Sequence, residues 1–171
     1  MMPQNLIETT KDWVRTKLTE AESGHDWWHI HRVYRTAMQL AKSENADVNT
    51  VALAALLHDL TDAKLTDRAE AIEAEIIAFL QQHGASTPLI EQVMYIIHHM
   101  SFRHSAHFTG NKTIDFQVVQ DADRLDAIGA IGIARAFSYG GYKQRPFLNF
   151  ETRTEAEAFF ANGNTDASTI G

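Results

Sequence analysis

The chain has 171 residues, 44% hydrophobic and 22% charged, enough apolar material for one compact domain and too much for a disordered chain. It contains no cysteine, so disulfides and thiolate metal sites are excluded and any metal must be held by nitrogen and oxygen. A net charge of -7 argues against binding a nucleic-acid duplex, and the absence of a signal-peptide core or a run of ~18 apolar residues predicts a soluble, cytoplasmic protein without membrane association.

In chain order, a first helix is expected over residues 5–18, where Leu6, Trp13, Val14 and Leu18 recur at helical spacing, with Ser23 and Gly24 beyond its end. Asp26 is placed to cap a second helix whose inner face carries Ile30, Val33, Ala37, Leu40 and Ala41 together with His29. After a polar connection at 45–49, residues 51–57 are apolar nearly all round, the pattern of a central buried helix, with His58 and Asp59 at its C-terminal end. A fourth helix is expected over 67–83, stopped by Gly84, and a fifth begins at Thr87-Pro88 and delivers His98 and His99. A polar loop at 101–112 leads into a long helical pattern over 114–137, where Val119, Ala122, Asp123, Asp126 and Ala130 share a stripe. Gly140-Gly141 is expected to open a looser region, and the tail from Asn162 is polar. With no alternating strand pattern, the expected architecture is an all-α, single-domain helical bundle over 1–171, its core spanning roughly 13–142 and a looser C-terminal segment 143–171.

Nine histidines are the unusual feature of the composition. Most fall at His25, His29 and His31 or at His98, His99, His104 and His107, while His58 stands alone in an apolar run. An ionised carboxylate at the end of such a run is costly unless a cation or a full set of hydrogen bonds meets it. His58 and Asp59 are helix neighbours about 100° apart, so they converge on one ion only at a crevice or helix end. His29 points an imidazole toward the same core, and Asp123 brings an acid on the inward stripe of the last long helix, with Asp121 and Asp126 as rivals. Each also has an ordinary reading: a hydrogen-bonded core histidine, or a capping or ion-paired carboxylate.

The ordered set carries a resemblance that no single residue does. His29-x-x-Arg32-Val33, then His58-Asp59, then Ala122-Asp123-Arg124-Leu125 resemble the signature of the HD-domain metal-dependent phosphohydrolases. Over roughly residues 13–142, His25-Asp26-Trp27-Trp28-His29 and Gln120-Asp121-Ala122-Asp123-Arg124-Leu125-Asp126-Ala127-Ile128-Gly129 resemble a bacterial subgroup that includes deoxynucleoside triphosphate pyrophosphohydrolases. The resemblance implies His29, His58, Asp59 and Asp123 as metal ligands and Asp62 as a general acid/base. Two neutral imidazoles and two carboxylates neutralise a divalent cation and leave positions open for water and substrate. Such an ion polarises a phosphoryl oxygen and lowers the pKa of water. Mn²⁺ is favoured, with Fe²⁺, Co²⁺, Ni²⁺, Zn²⁺ or Mg²⁺ also compatible.

Around this centre Lys64 and Arg124 are candidate phosphate clamps, Lys64 also serving the chemistry. Arg124 has the alternative of pairing with Asp121 or Asp126, and Asp62 of capping the next segment. One of His98 and His99 is a candidate phosphate donor; a second metal there is disfavoured because no further acid is visibly paired with them. Trp27 and Trp28 fit either core packing or stacking on a nucleobase. Gly141-Tyr142-Lys143 departs from the Gly-Tyr-Pro motif of related cyclic-dinucleotide phosphodiesterases, which argues against that activity. The expected activity is cleavage of a (deoxy)nucleoside triphosphate to monophosphate and pyrophosphate. Its alternatives are a nucleoside monophosphate phosphatase of the 5'-nucleotidase kind, a noncatalytic nucleotide or metal sensor, and a structural interaction domain. The partner expected is a small nucleotide or other phosphorylated molecule, with a homodimer left open. Similar proteins continue into further C-terminal helices, so a truncated or reduced tail is expected here.

Overall fold

The computed structural model describes residues 6–18, 26–61, 69–100 and 109–145, together with 154, 157, 158 and 161. Among the described residues there are seven helices and no strand, so the chain is all-α: α1 Leu6–Lys17, α2 Trp27–Glu44, α3 Val48–Leu57, α4 Ala69–Gln82, α5 Thr87–His99, α6 Ile114–Asp126 and α7 Gly129–Tyr142. No described helix is long and apolar enough to cross a membrane.

Helix ends follow the local chemistry of the sequence. Asp26 caps α2 by accepting from the His29 backbone N–H at 2.9 Å, and Asp47 caps α3 by accepting from the Thr50 N–H at 2.7 Å. Each bond satisfies a donor that the first helical turn leaves without an intrahelical acceptor. Pro88 sits in the first turn of α5, where its missing N–H costs nothing. At the other end of α2, Asn45 adopts a left-handed conformation, φ 55, and stops the helix.

Residues Met1–Asp126 form one compact unit and Ala127–Gly171 another. In the first, α3 is the central element: every residue from Thr50 to Leu57 is buried, and α1, α2, α5 and α6 all pack against it. That explains why its sequence is apolar all round instead of striped. Trp13 of α1 stacks on Phe79 of α4 with ring centroids 4.4 Å apart. Because α3 ends where its packing neighbours still surround it, the two residues that follow, His58 and Asp59, remain buried although they are polar.

Two expectations need correction. The helix expected over 114–137 is broken: α6 stops at Asp126, Ile128 is extended, and Gly129 takes a positive φ of 66 before α7 begins. Glycine adopts that conformation at no steric cost because it has no Cβ, and apolar residues on both sides of the break hid it in the periodicity. Ala130, assigned to the buried stripe, is exposed beyond the break. The looser region expected from Gly140 is helix as far as Tyr142.

Candidate metal centre

Three helix ends of the first unit meet at one place. The first turn of α2 brings His29, the residues just past α3 bring His58 and Asp59, and the last turn of α6 brings Asp123. His29 is 1% exposed, and His58 and Asp59 are each 7% exposed. The His29 Nε2 lies 3.2 Å from Asp59 Oδ2 and 3.4 Å from Asp123 Oδ1. His58 Nε2 lies 3.3 Å from Asp59 Oδ1 and 3.6 Å from the same Asp123 oxygen. The two imidazole rings are 5.3 Å apart and inclined at 69°, edge to face. Four side chains from three elements thus turn polar atoms toward one small space.

Both rings are fixed from behind. His58 Nδ1 donates to the Ala55 carbonyl oxygen at 3.0 Å, since a carbonyl only accepts. This leaves the Nε2 of neutral His58 with its lone pair, buried and without a hydrogen-bond partner among the described residues. His29 Nδ1 lies 2.7 Å from Asp126 Oδ2, and Asp126 in turn accepts from Arg32 Nε at 2.7 Å and Nη2 at 3.0 Å.

The charge balance favours a cation. Burial opposes a charge on His29, but hydrogen bonds to Asp123, Asp126 and Asp59 outweigh it and push the imidazole up to about 10. His58 is also raised, burial opposing and the charges of Asp59 and Asp123 prevailing, with His29 working against it. Asp123 and Asp126 are held well below the usual carboxylate range: burial would raise them, but the imidazoles of His29 and His58 facing the first, and His29 and Arg32 bound to the second, dominate. Such a centre draws in protons when it holds no other positive charge.

The residues fit a divalent cation. Donors each about 2.1 Å from a common ion stand roughly 3.0–3.6 Å apart when the angle between them is roughly 90–120°. The four nitrogen–oxygen separations, 3.2 to 3.6 Å, fall in that range. One donor atom from each of His29, His58 and Asp59 can be chosen with all three within 4.8 Å of one another. A buried imidazole lone pair facing two carboxylates is what such an ion requires and what an ordinary hydrogen-bonded core avoids.

The family comparison agrees with this geometry. The HD domain model matches residues 27–128, a range that includes His29, His58, Asp59 and Asp123. The chain belongs to the HD domain family. Proteins similar to this HD-domain chain include YpgQ of Bacillus subtilis (strain 168), 40% identical over 153 residues, 89% of this chain and 75% of YpgQ. The structure of YpgQ in complex with ADP superposes with a TM-score of 0.69 at 38% identity, covering 95% of this chain and 85% of that one. A Lactobacillus plantarum structure gives 0.81 at 36% identity, covering 89% and 70%. An HD-superfamily hydrolase of Bacillus thuringiensis gives 0.67 at 35%, covering 96% and 86%. The all-α fold is therefore the HD-domain fold.

The remaining candidates separate. Asp62 and Lys64 lie outside the described residues, as do His25, His104 and His107. Arg124 is exposed on α6, and the Asp126 offered as its alternative partner binds Arg32 and His29 instead. His98 is exposed and pairs with Glu73 of α4 at 3.0 Å, an acid that linear spacing did not reveal; His99 is half-buried, its Nδ1 donating to the Tyr95 carbonyl at 2.8 Å. Trp27 packs against the core, whereas Trp28 is 59% exposed. Asp121, the other rival for the ligand position, is exposed.

Proposed function

We propose that this HD-superfamily hydrolase holds one divalent cation, with Mn²⁺ favoured, on His29, His58, Asp59 and Asp123, and hydrolyses a nucleoside triphosphate to monophosphate and pyrophosphate. The observation that carries the metal reading is the buried Nε2 of His58, lone pair exposed toward Asp59 and Asp123 while Nδ1 is committed to a backbone carbonyl. A cation held there supplies Lewis acidity toward a phosphoryl oxygen and lowers the pKa of a coordinated water. The all-nitrogen-and-oxygen donor set suits Mn²⁺, Fe²⁺, Co²⁺, Ni²⁺ and Zn²⁺, with Mg²⁺ a weaker fit to imidazole.

The chain's own groups have defined roles in this reading. Ala55 and Asp126 hold the two imidazoles with Nε2 turned inward. Asp62, three residues after Asp59, accepts the proton of the attacking water, and Lys64 binds the phosphate oxygens as a compact charged donor. Water adds to the α-phosphorus, the bond to the bridging α–β oxygen breaks, and pyrophosphate leaves. Support for a nucleotide comes from the ADP bound to B. subtilis YpgQ and from the two sequence segments resembling deoxynucleoside triphosphate pyrophosphohydrolases.

The test is purified protein incubated with Mn²⁺, Co²⁺, Ni²⁺ or Mg²⁺ against a panel of ribo- and deoxynucleotides, with products resolved chromatographically. Metal-dependent release of pyrophosphate and monophosphate is expected. Orthophosphate from monophosphates alone would replace the pyrophosphohydrolase by a phosphatase, and nucleotide binding with no product would replace it by a sensor.

A further inference from the structure

Two helical turns interlock behind the metal centre, and each contributes one residue to the converging set and one that stands outside it. On α2, His29 and Arg32 are three positions apart and share a face; on α6, Asp123 and Asp126 do the same. The two turns face each other. His29 meets Asp123 through Nε2 at 3.4 Å and Asp126 through Nδ1 at 2.7 Å, so one imidazole spans both acids of the α6 turn. The two ring nitrogens point in diverging directions, so an oxygen bonded to Nδ1 lies behind the ring from any atom bonded to Nε2. That placement separates Asp126 from the converging set although its sequence position made it a rival ligand.

We infer that Asp126 is the positioning residue of the metal centre and that Arg32 clamps it in place, an inference that rests on the reading of His29 as a ligand. Three contacts carry it. Asp126 Oδ2 receives His29 Nδ1 at 2.7 Å, which selects the tautomer with the proton on Nδ1 and the lone pair on Nε2. Arg32 reaches both oxygens of the same carboxylate, Nε to Oδ1 at 2.7 Å and Nη2 to Oδ2 at 3.0 Å, a bidentate grip that removes its rotational freedom. The Asp126 side chain is only 7% exposed, so little water competes for these bonds. Arg32 also neutralises a third carboxylate that would otherwise add its charge to those of Asp59 and Asp123, leaving two negative charges facing a divalent ion. The Arg32 of the His-x-x-Arg pattern thereby serves the histidine one turn before it through an acid on another helix.

The experiment compares wild type, Asp126→Asn, Asp126→Glu and Arg32→Ala by calorimetric titration with Mn²⁺ and by the visible absorption spectrum of the Co²⁺-loaded protein. Asp126→Asn keeps the shape but removes the charge and offers an amide in place of one oxygen. It is expected to weaken Mn²⁺ binding by roughly 10–100-fold, the usual consequence of losing a partner behind a ligating histidine, and to shift the Co²⁺ bands. Asp126→Glu should recover part of the affinity, and Arg32→Ala should fall between wild type and Asp126→Asn. Far-UV circular dichroism and melting of the metal-free variants identify any that fail to fold, and Arg32→Ala, whose side chain is 36% exposed, then carries the comparison. Unchanged affinity and an unchanged Co²⁺ spectrum in both Asp126→Asn and Arg32→Ala would overturn the inference. Failure of the wild type itself to bind Mn²⁺ would instead overturn the metal reading beneath it.

Discussion

Metal binding at this centre is expected to release protons, and pH is the perturbation that exposes it. In the metal-free protein His29 is raised to about 10 by Asp123, Asp126 and Asp59 against the opposing effect of burial, so its imidazole is charged throughout the neutral range. An ion ligated through Nε2 requires that nitrogen free of its proton, so at least one proton leaves for each ion bound. One proton per ion makes the apparent Kd fall tenfold for each pH unit, about 1.4 kcal/mol, or roughly 100-fold between about pH 6.5 and 8.5. His58 is raised as well, burial opposing and the charges of Asp59 and Asp123 prevailing, so it acts in the same direction. Calorimetric titration with Mn²⁺ in two buffers of different ionisation enthalpy counts the protons directly, and repeating it across the range gives the slope. Affinity independent of pH, with no proton taken up by the buffer, would refute the assignment of His29 to a shared proton-or-metal position.

The same groups govern the stability of the metal-free protein. Because His29 titrates above its ordinary value in the folded state, its contribution is complete below about pH 6.5 and lost as pH rises through about 10; melting of chelator-treated protein should therefore fall progressively over that window. Asp123 and Asp126 act in the opposite sense, contributing above the ordinary carboxylate value and losing that contribution as pH falls below it. In the core, Phe116 is fully buried, and Phe116→Ala should cost about 3–5 kcal/mol, read as a fall in chemical-denaturation free energy. Two glycines of the second unit should respond oppositely: Gly129→Ala forces a Cβ into a φ of 66 and should lose about 1 kcal/mol, whereas Gly141→Ala, in a helix with nothing within 4 Å of the added Cβ, should gain about 0.5–1 kcal/mol.

The first five helices were readable from the sequence because their signals are local. Asp26 and Pro88 mark helix starts, Gly84 marks a stop, and the apolar run at 51–57 needs burial on every side. The break after Asp126 was not readable, since apolar periodicity continues across it and the deciding property is the backbone conformation of Gly129. At the site, the convergence of His29, His58, Asp59 and Asp123 could be inferred from their order, but the partners that orient them could not. Asp126 shares a helical face with Asp123, so its sequence position admits a ligand or a supporting role equally; only the placement of its carboxylate at Nδ1 of His29 separates the two. Glu73 was missed as the partner of His98 for a similar reason, because α4 and α5 meet in space and not in sequence.

Metal content tests the four-ligand centre most directly. Purified protein dialysed against Mn²⁺ and then against metal-free buffer should retain about one ion per chain by elemental analysis, as a centre with a single set of four donors requires. His58→Ala and Asp123→Ala, with helical circular dichroism retained, should each retain almost none. Wild-type protein that binds no divalent ion, or folded variants that keep a full equivalent, would contradict the assignment of the four side chains as its ligands.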